Sequence, residues 1–207
     1  MDVVLNKPAR SARKAKGDGH LRRVEILEAA ERIFVADGYD GATIRKIADE
    51  VGVSSTALYM HFHDKDEILQ EICLGAVQAL LSQNLEIASR PIDAVTRVRL
   101  LLEAYIRMGL EHPNTYLLVY CAPQRPGAQA ATAEVAAKCY AAYAGVVEDI
   151  AAEGRLRADP KIAAQTLWAA CHGVVALMIM RPSVDWAPAE ELASLTLESL
   201  LHGLVTR

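Results

Sequence analysis

Ser54, Ser55 and Thr56 are followed within a few residues by Tyr59, Met60, His61 and Lys65, and preceded by Thr43 and Arg45. These side chains are short hydrogen-bonding groups, a phenol, a thioether, an imidazole and two cations. They suit recognition of a polyanion and of base edges better than bond breaking. His112 and His172 lie far apart in the chain, and neither has a Ser, Cys or carboxylate beside it in a recognisable catalytic arrangement. A phosphate-cradling Gly-rich loop and a Glu-x-x-His pair are both missing. The chain therefore carries no enzymatic signature, and neither a cofactor nor a metal is expected.

Recognition of this kind needs elements that present the cluster. Ile44, Ile47, Ala48 and Val51 fall at the spacing of one apolar helical face, and Thr43 stands where an N-cap hydroxyl holds a free backbone N–H. Gly52 suits the positive-φ residue that ends a helix, Val53 turns inward, and Ser54 or Ser55 caps a second helix over about 55–61. Leu58 and Phe62 face inward from it. Two short helices, a Gly turn and a small Ala48 at their crossing make a helix-turn-helix, which carries the N-terminal end of its second helix into a DNA major groove. Ser54, Ser55, Thr56 and Ala57 stand at that end. Asp64–Lys65 begins a third helix, whose terminus with its lysine offers a second anion site.

Thr43, Ile47-Ala48, Gly52-Val53-Ser54, Leu58-Tyr59, His61-Phe62 and Lys65 resemble, in identity and spacing, the DNA-binding signature of TetR/AcrR-family transcriptional regulators. The resemblance covers about 24–69. It implies that Thr43, Tyr59, His61 and Lys65 contact backbone phosphates, and that Ser54 to Thr56 with Met60 read bases. Arg45 is counted with the DNA-facing residues. Many members have Gly where this chain has Thr56, so the operator sequence cannot be borrowed. The family implies a homodimeric repressor that a small molecule releases from a palindromic double-stranded DNA operator.

Few aromatics, abundant alanine and 52% hydrophobic residues favour closely packed helices, so the fold expected is all-α. It comprises an N-terminal three-helix helix-turn-helix domain joined to a C-terminal helical bundle for ligand binding and dimerisation. The net charge is −4 over 207 residues, but the acidity is local. Lys7, Arg10, Arg13, Lys14, Lys16, Arg22 and Arg23 face only Asp2 and Asp18 in the leading segment, enough for a DNA-facing edge. Residues 1–20 read as a disordered basic arm or solvated tail, 21–66 as the DNA-binding domain and 67–207 as the effector and dimerisation domain. The start of the chain turns polar without secretory features, and Cys73, Cys121, Cys139 and Cys171 lack metal-ligand spacing. Buried, reduced thiols in a cytoplasmic protein are expected.

In the leading domain, a supporting helix runs from Leu21 to a stop at Gly38, with Tyr39-Asp40-Gly41 as a turn. Lys65 begins a long helix that reaches about Ser89 and joins head to body. Pro91 fits the first turn of the next helix, and His112-Pro113 ends it. Pro123 to Gly127 is a loop, and Ala-rich helix follows to Glu153. Asp159-Pro160 starts a helix whose stretch from Ile162 to Met180 is uncharged. It is long enough for a bilayer, but Gln165, Thr166 and His172 interrupt it, so burial between the body and a partner subunit is expected instead. The last helix, about 188–205, places Leu192, Leu195, Leu200 and Leu204 for packing, and the last two helices paired with their counterparts across a two-fold axis give a four-helix interface. Trp168, His172 and Gly173 further resemble the Trp-His-Gly element of one group of TetR-like C-terminal domains. A mostly apolar effector would meet some of Tyr105, Met108, Tyr116, Tyr120, Tyr140, Tyr143, Trp168, His172 and Met178. The alternatives left open are an architectural DNA binder without an effector and a helical enzyme.

Overall fold

The computed structural model describes residues 19–121 and 130–206. The expected basic arm, apart from its last two residues, and the loop 123–127 lie outside them. The described residues are helical with no strand, and they divide into two compact units meeting at Ile72 and Cys73.

The first unit holds α1 (Gly19–Gly41), α2 (Ile44–Val51), α3 (Ser55–Tyr59) and the start of α4 (Lys65–Ala88). Ile26, Ala30 and Phe34 of α1 are buried together with Ile47, Ala48, Leu58, Phe62 and Ile68. Helix α1 starts two residues before the expected Leu21. Gly38 does break its regular geometry, with φ 71°, but the chain resumes a helical turn to Gly41 instead of leaving as a free turn. Tyr39 stacks on Phe34 and the Ala42 N–H donates to the Gly38 carbonyl, which holds that extra turn in place. Helix α3 ends at Tyr59, short of the expected His61, because the His61 and Phe62 amides both return to the Leu58 carbonyl and bring Phe62 inside.

The second unit contains the rest of α4, α5 (Ala94–Glu111), α6 (Pro113–Tyr116), a π-helical turn Leu117–Cys121, α7 (Ala130–Ala152), α8 (Pro160–Met180) and α9 (Ala189–Leu204). Helix α5 is central and packs on α7, α8 and α9. Pro91 precedes α5 instead of entering its first turn. Asp93 sets the start, its carboxylate accepting from the Val95 and Thr96 amides while Arg155 holds its other oxygen at 2.6 Å. Asp159 caps α8 in the same way. At Gly109 a Cβ would lie 2.5 Å from Val175 and 2.9 Å from the Tyr116 ring, so only glycine lets these side chains approach.

Helix α8 is long and apolar enough to cross a membrane. One face, with Ala163, Ala164, Leu167, Cys171 and Val175, is buried in the body's core, whereas Ile162, Leu177 and Met180 are exposed. On α9 Ala193, Leu197 and Leu201 are buried and the expected Leu200 and Leu204 pack half-buried against the core, whereas Leu195 is 65% exposed. Cys73, Cys139 and Cys171 are buried thiols; Cys121, expected to be buried too, is exposed at the end of the π-helical turn.

Candidate nucleic-acid interface and effector cavity

In the head, local capping fixes the first turn of α3. The Thr43 hydroxyl accepts from the Lys46 amide at 3.2 Å and starts α2; Gly52, at φ 74°, ends it in the left-handed region. Ser54 Oγ then accepts from the Ala57 amide at 3.1 Å, so α3 starts with Ser55 and Thr56 in its first turn. Tyr59 and Met60 are exposed, Met60 to 82%. Ala42, Thr43, Ile44, Arg45, Ser55, Tyr59 and Lys65 together line a shallow cleft of about 400 Å³. His61 is half-buried beside it in sequence.

Two cations have structural duties that spacing does not reveal. Lys65 Nζ donates to the Tyr39 carbonyl at 2.8 Å and the Ala42 carbonyl at 3.1 Å, and lies 4.0 Å from the centre of the Tyr39 ring. It ties the start of α4 to the end of α1, with one ammonium proton left over. Arg23 donates to both oxygens of Glu71 and to the His61 carbonyl, with its guanidinium carbon 4.0 Å from the centre of the Phe62 ring. The hydrogen bond with Glu71 raises the Arg23 pKa above its ordinary value. Arg22 pairs with Glu25 at 2.7 Å. Neither arginine is thus a free cation of the leading segment. At the α4 terminus Asp64 Oδ1 accepts from the Glu67 amide at 2.8 Å, and a Glu67 carboxylate oxygen accepts from the His63 amide at 2.5 Å. Two carboxylates thus cap the terminus expected to offer an anion site, and the Glu67 N–H holds the Asp64 carboxyl below its usual pKa.

In the body, a cavity of about 460 Å³ lies among α4, α5, the π-helical turn, α7 and α8. Tyr105, Tyr120, Tyr140, Tyr143 and Trp168 line it, with Cys73, Leu80, Asn84, Leu101, Leu102 and Thr132. Tyr116, Met108, His172 and Met178 are not in its wall. Tyr116 and His172 instead form a cluster behind Tyr105: His172 Nδ1 lies 2.5 Å from the Tyr116 hydroxyl and 3.0 Å from that of Tyr105. Burial favours the neutral His172 ring by lowering its pKa, and a neutral ring can share a hydrogen bond with these hydroxyls through Nδ1. Burial likewise raises the pKa of Tyr105 and Tyr143, and pushes the Cys139 thiol up to about 11, so these three groups of the wall are uncharged at neutral pH. Among the described residues no cluster of His, Cys, Asp or Glu is placed to hold a metal ion.

Residues 26–72 match the bacterial regulatory proteins of the tetR family, and 98–200 match a tetracyclin repressor-like C-terminal domain. The chain belongs to the TetR family. It is 30% identical over 107 residues to the HTH-type transcriptional repressor KstR2 of Mycobacterium tuberculosis, over 52% of this chain and 53% of that one. It is 48% identical over 48 residues to the HTH-type transcriptional repressor AcnR of Corynebacterium diphtheriae, over 23% of this chain and 25% of that one. The chain spans about half the length or less of these curated relatives. The TetR-family regulator PfmR of Thermus thermophilus has a similar structure, with TM-score 0.71 and 25% identity over 86% of this chain and 97% of that one. These relatives are transcriptional regulators, not enzymes.

Membership of the TetR family fits the division of labour seen in the geometry, a small capped head and a larger body with a cavity. Sequence reasoning missed Arg23 and Asn84. An arginine in a basic segment reads as a solvated cation until Glu71 and Phe62 are seen around it. Asn84 carried a usable signal, an amide at helical spacing on the face that Val77, Leu80 and Ile87 otherwise make apolar.

Proposed function

We propose that this protein is a cytoplasmic, homodimeric transcriptional repressor that binds a palindromic double-stranded DNA operator and is released by a largely apolar small molecule. The observation that carries this reading is the head, where Thr43, Gly52 and Ser54 cap two short helices so that Ser55 and Thr56 open the second. In this reading Ser54, Ser55, Thr56 and Met60 meet base edges. Thr43, Arg45, Tyr59, His61 and Lys65 hold phosphates around the shallow cleft. Lys65 uses its remaining proton there, its other two keeping the cleft in shape.

The exposed Ile162, Leu177 and Met180 of α8 and Leu195 of α9 support dimerisation through the two C-terminal helices, since such a face is stable in water when a second copy covers it. That same cover gives α8 its role without a membrane. A two-fold dimer sets two heads about 34–36 Å apart, or a multiple, to meet successive major grooves. Helix α4 supplies Cys73, Leu80 and Asn84 to the cavity wall and Lys65 to the head. An effector that prefers one setting of α4 therefore shifts the population away from the DNA-bound spacing.

Selection of binding sites from a random-sequence DNA pool by the full chain, followed by footprinting, tests this. A single two-fold symmetric motif is the expected product. Recovery of unrelated sequences with equal affinity would favour an architectural DNA binder and contradict the reading.

A further inference from the structure

We propose that His172, which stands outside the body cavity, is a positioning residue for the effector. With Tyr116 it fixes the Tyr105 hydroxyl, and so holds Tyr105 and the Tyr120 ring packed on it in the ligand-binding arrangement of the wall. This rests on reading the cavity as the effector site. His172 Nδ1 lies 3.0 Å from the Tyr105 hydroxyl and 2.5 Å from that of Tyr116, and the two hydroxyls are 3.4 Å apart. The three polar atoms close a triangle drawn from α5, α6 and α8. Tyr105 and Tyr120 line the cavity with their ring centres 5.6 Å apart, edge to face. The His172 ring lies 6.0 Å from Tyr120 and 6.4 Å from Trp168, a third residue of the wall. One imidazole therefore stands against three wall residues without being one itself.

Neighbouring features of the chain converge on this triangle. Gly109 leaves room for the fully buried Tyr116 ring, and the π-helical turn that follows Tyr116 sets Tyr120 against both Tyr105 and His172. Single π-helical turns are rare and occur mostly at functional sites. Three buried polar groups add little net stability over apolar side chains of the same shape; what a closed network supplies is one fixed arrangement. Within the triangle the Tyr105 hydroxyl has His172 Nδ1 as its nearer partner and the Tyr116 hydroxyl as its farther one. A side chain without a polar atom at position 172 removes the nearer partner and also the 2.5 Å contact that fixes Tyr116. A buried phenol left so loosely held turns to satisfy its hydroxyl elsewhere, and its ring leaves the position that shapes the wall.

The test titrates the full chain with N-phenyl-1-naphthylamine, a neutral fluorophore that brightens in apolar sites, at about pH 8, where an imidazole is uncharged. His172→Leu, or His172→Phe should the first not fold, is expected to weaken probe binding about fivefold, as the loss of one buried hydrogen bond predicts. Retained cooperative thermal unfolding qualifies each variant. The terminal amide of His172→Asn reaches the place of Nδ1 with an acceptor or a donor, and should restore binding to within about twofold of wild type. Tyr105→Phe removes the hydroxyl itself, so adding His172→Leu to it should cost less than about twofold further. Wild-type affinity in a folded His172→Leu or His172→Phe protein, no recovery in His172→Asn, or an undiminished loss on top of Tyr105→Phe overturns the proposal while leaving the cavity as the effector site. Ala136→Trp, or Ala133→Trp should the first unfold, plugs the cavity; probe binding that survives a folded plug overturns both readings.

Discussion

Replacing Arg23 by Met separates structural from DNA-facing cations in the head. The guanidinium holds both Glu71 oxygens and the His61 carbonyl over the Phe62 ring, and its side chain is 32% exposed. Hydrogen bonds to charged groups contribute about 1.5–3 kcal/mol when shielded, and a cation over an aromatic face about 0.5–1 kcal/mol. Partial exposure discounts both, and Met keeps the packing of the stem, so a loss of about 1–2 kcal/mol is expected. For a unit of this size each kcal/mol lowers the melting temperature by about 4–8 °C, measurable by scanning calorimetry where the head melts separately. DNA binding, followed by fluorescence anisotropy at several salt concentrations, should weaken without a change in the slope of log affinity against log salt. Arg45→Ala provides the contrast. Its side chain is 87% exposed, with only Asp49 at 3.8 Å, and its loss should reduce the slope by about 0.9 with no change in stability. An Arg23→Met protein that melts normally but loses about one unit of slope would refute the assignment.

Ser54→Ala removes the α3 cap and should cost about 1 kcal/mol, with DNA affinity falling more than bulk stability because the reading turn frays first; amide hydrogen exchange at Ala57 checks this. Gly109→Ala puts a methyl group into Val175 and Tyr116 and should destabilise the body by about 1–3 kcal/mol in urea unfolding, while a head that melts separately keeps its transition. His172 makes stability fall with acid. Burial depresses its folded pKa below the usual 6.5, so as pH drops below that value the unfolded chain takes up a proton before the folded one. Stability should be flat above about pH 6.5 and decline below it by at most about 1.4 kcal/mol per pH unit, until the folded ring protonates too. Unfolding of His172→Gln across the same range should lack that contribution.

The head was legible because its determinants are local. Thr43 and Ser54 accept from amides three residues on, Gly52 donates to carbonyls of the turn before it, and Leu58 and Phe62 follow helical spacing into the core. Errors arose where a long-range contact outweighed a local preference. Gly38 breaks the helix as its type suggests, yet Tyr39 on Phe34 and Lys65 beneath the carbonyls keep one more turn. Pro91 suits a first turn, but Asp93 with Arg155 starts α5 after it. The caps from Asp64 and Glu67 were readable from spacing and put two carboxylates at the terminus expected to hold an anion. The cavity was legible in part: its aromatic wall follows from residue type, whereas the contacts of His172 with Tyr105 and Tyr116 depend on α5, α6 and α8 meeting in space.

The most direct measurement of the central claim is binding of the full chain to DNA fragments from around its own gene at physiological salt, with non-specific competitor present. Retention of one fragment containing a two-fold symmetric site, weakened in Arg45→Ala and in Ser54→Ala, is the predicted result. Equal, salt-sensitive binding to every fragment, or no binding at all, would contradict it.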